Sequence, residues 1–281
     1  RLPMPRGGEL RFFIAESSVM QPGLAARHPE IRTYVASAVS DPTITGRFQI
    51  DPRGFRGMIF TPEGTVYIDP YSRGDNRNYQ VYYTSDMPPK RRPADTVLPN
   101  KKSNAANAAK SLQSNLAKRG ASISGDLRTY RLAMGATYEY SSFHDPVLPP
   151  EFPDKSVVLA EQVNVVNRVT GVYERDLGIR LVLIDGNEAA IYNTPVQPYT
   201  DAAGPGMVET NTAILDQNVG SENYDIGHVN STGGGGIAGL GVVCNVAQKG
   251  AGVTGLPDPV GDAYYIDFVA HEMGHQFGAN H

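Results

Sequence analysis

The last eleven residues, His271-Glu272-Met273-Gly274-His275-Gln276-Phe277-Gly278-Ala279-Asn280-His281, set three imidazoles and one carboxylate at fixed intervals. His271 and His275 are four apart, so on a helix their rings leave one face about one turn apart. Glu272 is next to His271 and too close in sequence to join the pair as a ligand. It can instead take a proton from water activated by the same ion. Gly278 lets the chain leave the helix abruptly, because glycine enters left-handed backbone conformations at little cost. Three residues on, His281 can turn back as a third ligand. Three histidines with one open position make a catalytic zinc arrangement, whereas structural zinc sites are closed by four protein ligands.

A bare His-Glu-x-x-His also arises by accident on amphipathic helices. The glycine and third histidine at fixed spacing argue against accident, as does the placement of three of the chain's six histidines inside the stretch. His271 to His281 resembles the extended zinc motif of the metzincin metalloendopeptidases. Upstream, Tyr224-Asp225-Ile226-Gly227-His228, Gly233 to Gly236 and Ile237 to Cys244 look like the adamalysin (reprolysin) branch, especially its secreted bacterial members. The resemblance covers residues 127–281 well, and the N-terminal hundred more loosely as a pro-region-like segment.

That resemblance implies an endopeptidase acting on protein or peptide substrates, with Zn2+ as cofactor. His271, His275 and His281 would be the metal ligands and Glu272 the general base. Ile237, Ala238, Gly239, Leu240 and Gly241 would form an edge strand beside the cleft, onto which a substrate adds as a further strand. Gly239 and Gly241 leave room for close backbone approach. A structural Gly-rich turn is the other reading of that stretch. The resemblance also implies secretion and a zymogen. Many relatives block their zinc with a pro-region cysteine, and this N-terminal region has none; Asp75, in Ser72-Arg73-Gly74-Asp75-Asn76, is a candidate carboxylate in its place, against a plain turn. Relatives continue beyond the third histidine to a methionine-containing turn and a pocket wall. The expectation is therefore a catalytic domain cut short at His281, with weak or absent turnover of its own.

The elements that must position these groups can be read from periodicity. Asp262 is expected to cap the final helix, with Tyr265, Phe268 and Val269 turned toward a sheet. Ser156 to Leu177 carries valines at helical spacing and ends at Gly178, a C-terminal glycine. Leu127 to Glu139, Ile179 to Ile184, Tyr224 to Asn230 and Ile237 to Val243 read as strands, and Thr210 to Val219 as a helix. Before them, Glu9 to Glu16, Thr45 to Ile50, Gly54 to Phe60, Thr65 to Asp69 and Tyr79 to Thr84 suggest an antiparallel meander. The fold class is α+β: a β-rich region over residues 1–87, a basic linker over 88–125, and a mixed sheet with packed helices over 126–281.

The linker stands out by charge. Eight Lys and Arg fall between Pro88 and Gly120 against Asp95 alone, about +7 in a chain whose net charge is −4, leaving about −11 elsewhere. Its Lys90-Arg91-Arg92 and Lys118-Arg119 clusters suit trypsin-like processing, but a plain tether with a short helix over 104–118 is the favoured reading. With 40% hydrophobic and 19% charged residues, the 281-residue chain can bury a real core. The net charge gives no support for nucleic-acid binding, and no apolar run approaches membrane-spanning length. One cysteine, Cys244, cannot form an internal disulfide; in relatives it often pairs further downstream, and otherwise it is a small buried hydrophobe. His28 reads as a satisfied histidine, His144 as a loop corner and His228 as a strand residue. Asp258 and Asp262 suit turn and cap roles, with calcium as the other possibility. The rival to an enzyme is a non-catalytic adhesion or assembly protein with an incomplete metal site.

Overall fold

Strand signals dominate the first 87 residues, and the chain there pairs each strand with the next. The computed structural model of the chain describes residues 1–87, 95–99 and 126–281 of the 281. A short pair, β1 (Leu2–Pro3) and β2 (Glu9–Leu10), precedes β3 (Phe12–Glu16), helix α1 (Pro22–Arg27), β4 (Arg32–Ala38), β5 (Thr45–Asp51), β6 (Gly54–Thr61), β7 (Gly64–Pro70) and β8 (Tyr79–Tyr83). Strands β3 to β8 form one antiparallel sheet in sequence order. Alternation gives it two faces. Phe48, Ile59, Val66 and Ile68 make a core on one side, while Met58, Phe60 and Tyr67 point to the other. Strand β4 and helix α1 lie where the sequence reading left a gap.

The second sheet has six strands: β9 (Asp95–Leu98), β10 (Arg128–Ala136), β11 (Ile179–Leu183), β12 (Ile226–Ser231), β13 (Gly235–Gly239) and β14 (Gly252–Gly255). Their spatial order is β11-β10-β12-β14-β13-β9, with only β13 and β14 antiparallel. The expected mixed sheet with packed helices is present, and the chain is α+β. Within the span read as a linker, β9 is thus a strand of this sheet. The helix expected over 104–118 and both basic clusters lie outside the described residues. Strand β14, Gly-Val-Thr-Gly, was missed altogether. It is fully buried, and its glycines give way to close neighbours: a Cβ at Gly252 would overlap Gln276 and His228.

Helices cover both faces of this sheet. Leu132, Met134 and Ala136 of β10 meet the long helix, while Ala133 between them faces Leu215 of the other helical layer. Between β10 and β11 lie α2 (Tyr138–His144) and α3 (Lys155–Leu177), and α4 (Pro205–Val219) precedes β12. Helix α2 corrects two readings: the strand expected to run to Glu139 ends at Ala136, and His144 is a buried helical residue, not a loop corner. Thr137 accounts for the change, since its side chain accepts a hydrogen bond from the Tyr140 amide and so starts a helix.

Helix α3 follows its periodicity closely. Asp154 caps it through the Ser156 amide, and Gly178 ends it at φ 65°. Fifteen of its 23 residues are buried, so it is no surface helix. One face packs on β10 to β12, and the other receives the N-terminal sheet. Gly171 lies so close to that sheet that a Cβ would press on Met58 and Arg47.

Candidate metal centre

The histidines sit at the end of one helical run: α5 (Asp262–Tyr264), a π-helical stretch Tyr265–Ala270, and α6 (His271–Gln276). Tyr264, Tyr265, Phe268, Val269 and Met273 are buried, anchoring the run beneath the sheet. Its start differs from expectation. Gly261, at φ 77°, holds the N-cap position and no side chain caps it; Asp262 is the first helical residue and accepts instead from the Tyr67 hydroxyl. Burial raises the Asp262 carboxyl, with the Tyr67 hydrogen bond opposing it. The role expected for Asp262 as a cap fails because the tyrosine on β7 claims its carboxylate. Directly before α6, the widened π-turns alter the helical register, and the Tyr173 hydroxyl of α3 donates to the Ala270 carbonyl at 2.6 Å. That bond fixes the backbone next to His271.

The three imidazoles converge. His271 Nε2 lies 3.0 Å from His275 Nε2 and 3.3 Å from His281 Nε2, and one ligand atom from each of the three falls within 4.8 Å of the others. Nitrogens bound to one tetrahedral zinc at about 2.0–2.1 Å stand roughly 3.3 Å apart, so this spacing fits a single ion. His275 Nδ1 donates to the Ala279 carbonyl at 2.7 Å, which leaves Nε2 with the lone pair that faces the cluster. Gly278 makes the turn possible. At φ 101° it closes a Schellman motif, with the Gly278 amide on the His275 carbonyl and the Ala279 amide on the Gly274 carbonyl, and the chain returns to bring His281 to the site. The donor set is all imidazole, which suits zinc over calcium or magnesium.

Glu272, adjacent to the first histidine, is fully buried. Its carboxylate packs against β13 at Gly236, where any Cβ would overlap it. Only glycine at 236 leaves that space. The sequence reading grouped this residue with the turn glycines Gly233 to Gly236; its particular use appears only in three dimensions.

The stretch Ile237 to Gly241 is divided. Ile237, Ala238 and Gly239 belong to β13, but the strand stops there; Leu240 and Gly241 lie in a turn, so the expected strand through Val243 is shorter. The turn has its own task. Gly241 and Val242 amides donate to the His275 and Gln276 carbonyls at 2.9 Å, closing the C-terminal end of α6. On its other side β13 pairs in parallel with β9, Gly236 opposite Asp95 and Gly239 opposite Leu98, and the Leu240 amide donates to the Leu98 carbonyl at 3.0 Å.

Other histidines stay out of the cluster. His228 on β12 donates from Nδ1 to Gln276 Oε1 at 2.9 Å and meets the Thr254 hydroxyl at Nε2 at 2.8 Å. Gln276 in turn donates to the Gly227 carbonyl at 2.8 Å. Burial pushes His228 down to about 4, against the opposing Gln276 hydrogen bond, so it is a neutral core histidine that ties α6 to the sheet. Sequence reasoning missed the roles of Gln276 and Tyr173, since nothing in their spacing marks them. His28 is satisfied, as expected, by Glu188 at 2.7 Å and Glu30 at 3.3 Å. Cys244 is exposed with φ 62°, contrary to a buried hydrophobe, because its amide is drawn to Asp225 in a turn. Asp75 forms the plain turn: its carboxylate accepts from the Arg77 and Asn78 amides and the Asn78 side chain. Among the described residues, no helix is long and apolar enough to cross a membrane.

Residues 159–281, the last 123 of the 281, match the sequence model of the metallo-peptidase family M12B, reprolysin-like. The matched stretch runs from α3 through the histidine cluster. No curated protein matches the chain. The match to a metallopeptidase family and the three-histidine cluster together point to metal-dependent proteolysis, with zinc the usual metal.

Proposed function

We propose that the chain is a zinc-dependent endopeptidase in which His271, His275 and His281 hold the ion and Glu272 is the general base. The observation that carries this reading is the joint placement of three facing Nε2 atoms and a buried carboxylate one residue away. Zinc held by neutral imidazoles supplies Lewis acidity toward water and a peptide carbonyl. Glu272 accepts the proton of the water that attacks the carbonyl carbon, then returns it to the departing amine nitrogen as the C–N bond breaks. Burial of Glu272 against Gly236 keeps that carboxylate in one place.

A substrate needs an extended path beside the metal, and strand addition at Ile237, Ala238 and Gly239, with Leu240 and Gly241 following, would provide one. In this chain β9 occupies that edge. We read this form as a zymogen, with residues 95–98 standing where substrate would pair, and keep secretion as what the family resemblance implies. The test is hydrolysis of casein and of quenched extended peptides after the 88–125 span is cut, with chelator and zinc add-back as controls. Zinc-dependent cleavage that rises after cutting supports the reading. Cleavage that is indifferent to chelator and zinc add-back, or that falls after cutting, contradicts it.

A further inference from the structure

The N-terminal sheet and β9 are held by very different forces. Glu161 of α3 is buried, and its carboxylate meets Arg53 at 3.1 Å and Arg56 at 3.8 Å, both from the N-terminal sheet. Burial alone would raise this carboxyl, yet Arg56 and Arg53 hold it well below the usual range. Arg168, about two turns further along α3, is equally buried and pairs with Asp69 at the end of β7. Backbone and amide groups cross the same boundary: Gln49 Nε2 donates to the Ala160 carbonyl at 2.8 Å, and Asn167 Nδ2 to the Phe48 carbonyl at 3.1 Å. Separation would expose the apolar face of α3 and leave each charge without its partner, a strongly unfavourable step.

The boundary is also continuous with the second sheet. Met20 bridges Leu183 on the outer edge of β11, with Leu183 amide on the Val19 carbonyl and Gln21 amide on the Leu183 carbonyl, both at 2.8 Å. Val19, Met20, Leu24 and Ile31 lie in the same core as Val166, Val169 and Met273. Among the described residues, strand β9 meets the rest of the chain through Leu98, which packs at the rim of the core around Val229 and Val253, and through its pairing with β13. It is one four-residue ladder in which Thr96 is exposed and Val97 and Leu98 are only half-buried. Its neighbours in the chain are the basic clusters Lys90-Arg91-Arg92 and Lys118-Arg119.

We infer that the N-terminal sheet is a permanent binding partner of residues 126–281, and that maturation removes the connecting piece bearing β9 and not the sheet. The mature form is then two chains held non-covalently along α3, with the β13 edge open. The removal of β9 rests on the zymogen reading above; the permanence of the interface does not. A full-length chain carrying one site-specific protease sequence after Arg92 and another at residue 110 provides the test. After both cuts, gel filtration in about 1 M salt, where Coulomb interactions are screened within roughly 3 Å, separates what stays from what leaves. The expected result is co-elution of the N-terminal and C-terminal chains at the size of the intact protein, with the excised peptide at low mass. Separate elution of the N-terminal chain, precipitation of the C-terminal chain without it, or retention of the excised peptide would overturn the inference. Peptide hydrolysis by the two-chain complex is read separately: an intact complex without activity counts against the protease reading alone.

Discussion

The Glu272 carboxylate occupies the space that a side chain at Gly236 would need. Helix α6 and strand β13 can approach this closely because the strand residue facing the carboxylate has no Cβ. The consequence is a carboxylate held by packing against a strand, one residue from a histidine of the cluster.

Replacing Gly236 by alanine should therefore move Glu272 without touching a histidine. The expected outcome is a destabilisation of about 1–3 kcal/mol from overpacking, with zinc content near one per chain and hydrolysis strongly reduced. Thermal unfolding and metal analysis of the variant check the first two, and peptide assays the third. Unchanged stability would mean that the carboxylate does not need this space.

Glu272→Gln keeps the volume and removes the carboxylate proposed as general base. Zinc binding should persist while hydrolysis falls by roughly 10²–10⁴-fold, the usual contribution of a positioned general base. Retention of most activity in a zinc-loaded variant would assign proton transfer elsewhere.

Much of this site was legible because its residues are close in sequence. The helical pair, the glycine exit and the returning third histidine all lie within eleven residues, and local backbone geometry determines their meeting. The long helix was legible for a similar reason, since valine spacing and Gly178 are local signals. What could not be read depends on distant partners. Gly236 is one glycine among a run of four until Glu272 arrives against it. Asp262 has the composition of a cap, but Tyr67, nearly two hundred residues away, takes its carboxylate. Strand β14 is too short and glycine-rich to signal itself, and β9 lies in a stretch whose charge suggested only solvated tether.

Two buried histidines set an acid limit on stability. Burial holds His144 and His228 at about 4, below the usual 6.5. Both are neutral when folded and gain protons more readily when unfolded, so stability declines as pH falls from 6.5 toward 4. Glu161 acts lower, because its depressed carboxyl contributes stability above 4.5 that is lost below that value. Denaturant midpoints taken from pH 7 to 4.5 should fall steadily, by an amount on the order of 1–3 kcal/mol per histidine. A flat profile across that window would contradict the buried neutral state of both.

The Gln276 bridge gives an independent check on how the metal helix is anchored. Gln276→Met removes the acceptor for His228 Nδ1 and the donor to the Gly227 carbonyl. A loss of about 1–3 kcal/mol is expected for buried groups left unpaired. Equilibrium unfolding measures it, and a cost near zero would show that the bridge is not needed to hold α6 on the sheet.

Anomalous diffraction at the zinc absorption edge, from crystals grown with equimolar zinc, examines the metal centre itself. One strong peak is predicted about 2.0–2.1 Å from Nε2 of each of His271, His275 and His281, with the Glu272 carboxylate outside bonding distance. A map with no peak between those three nitrogens, or with the ion held by other residues, would contradict the account.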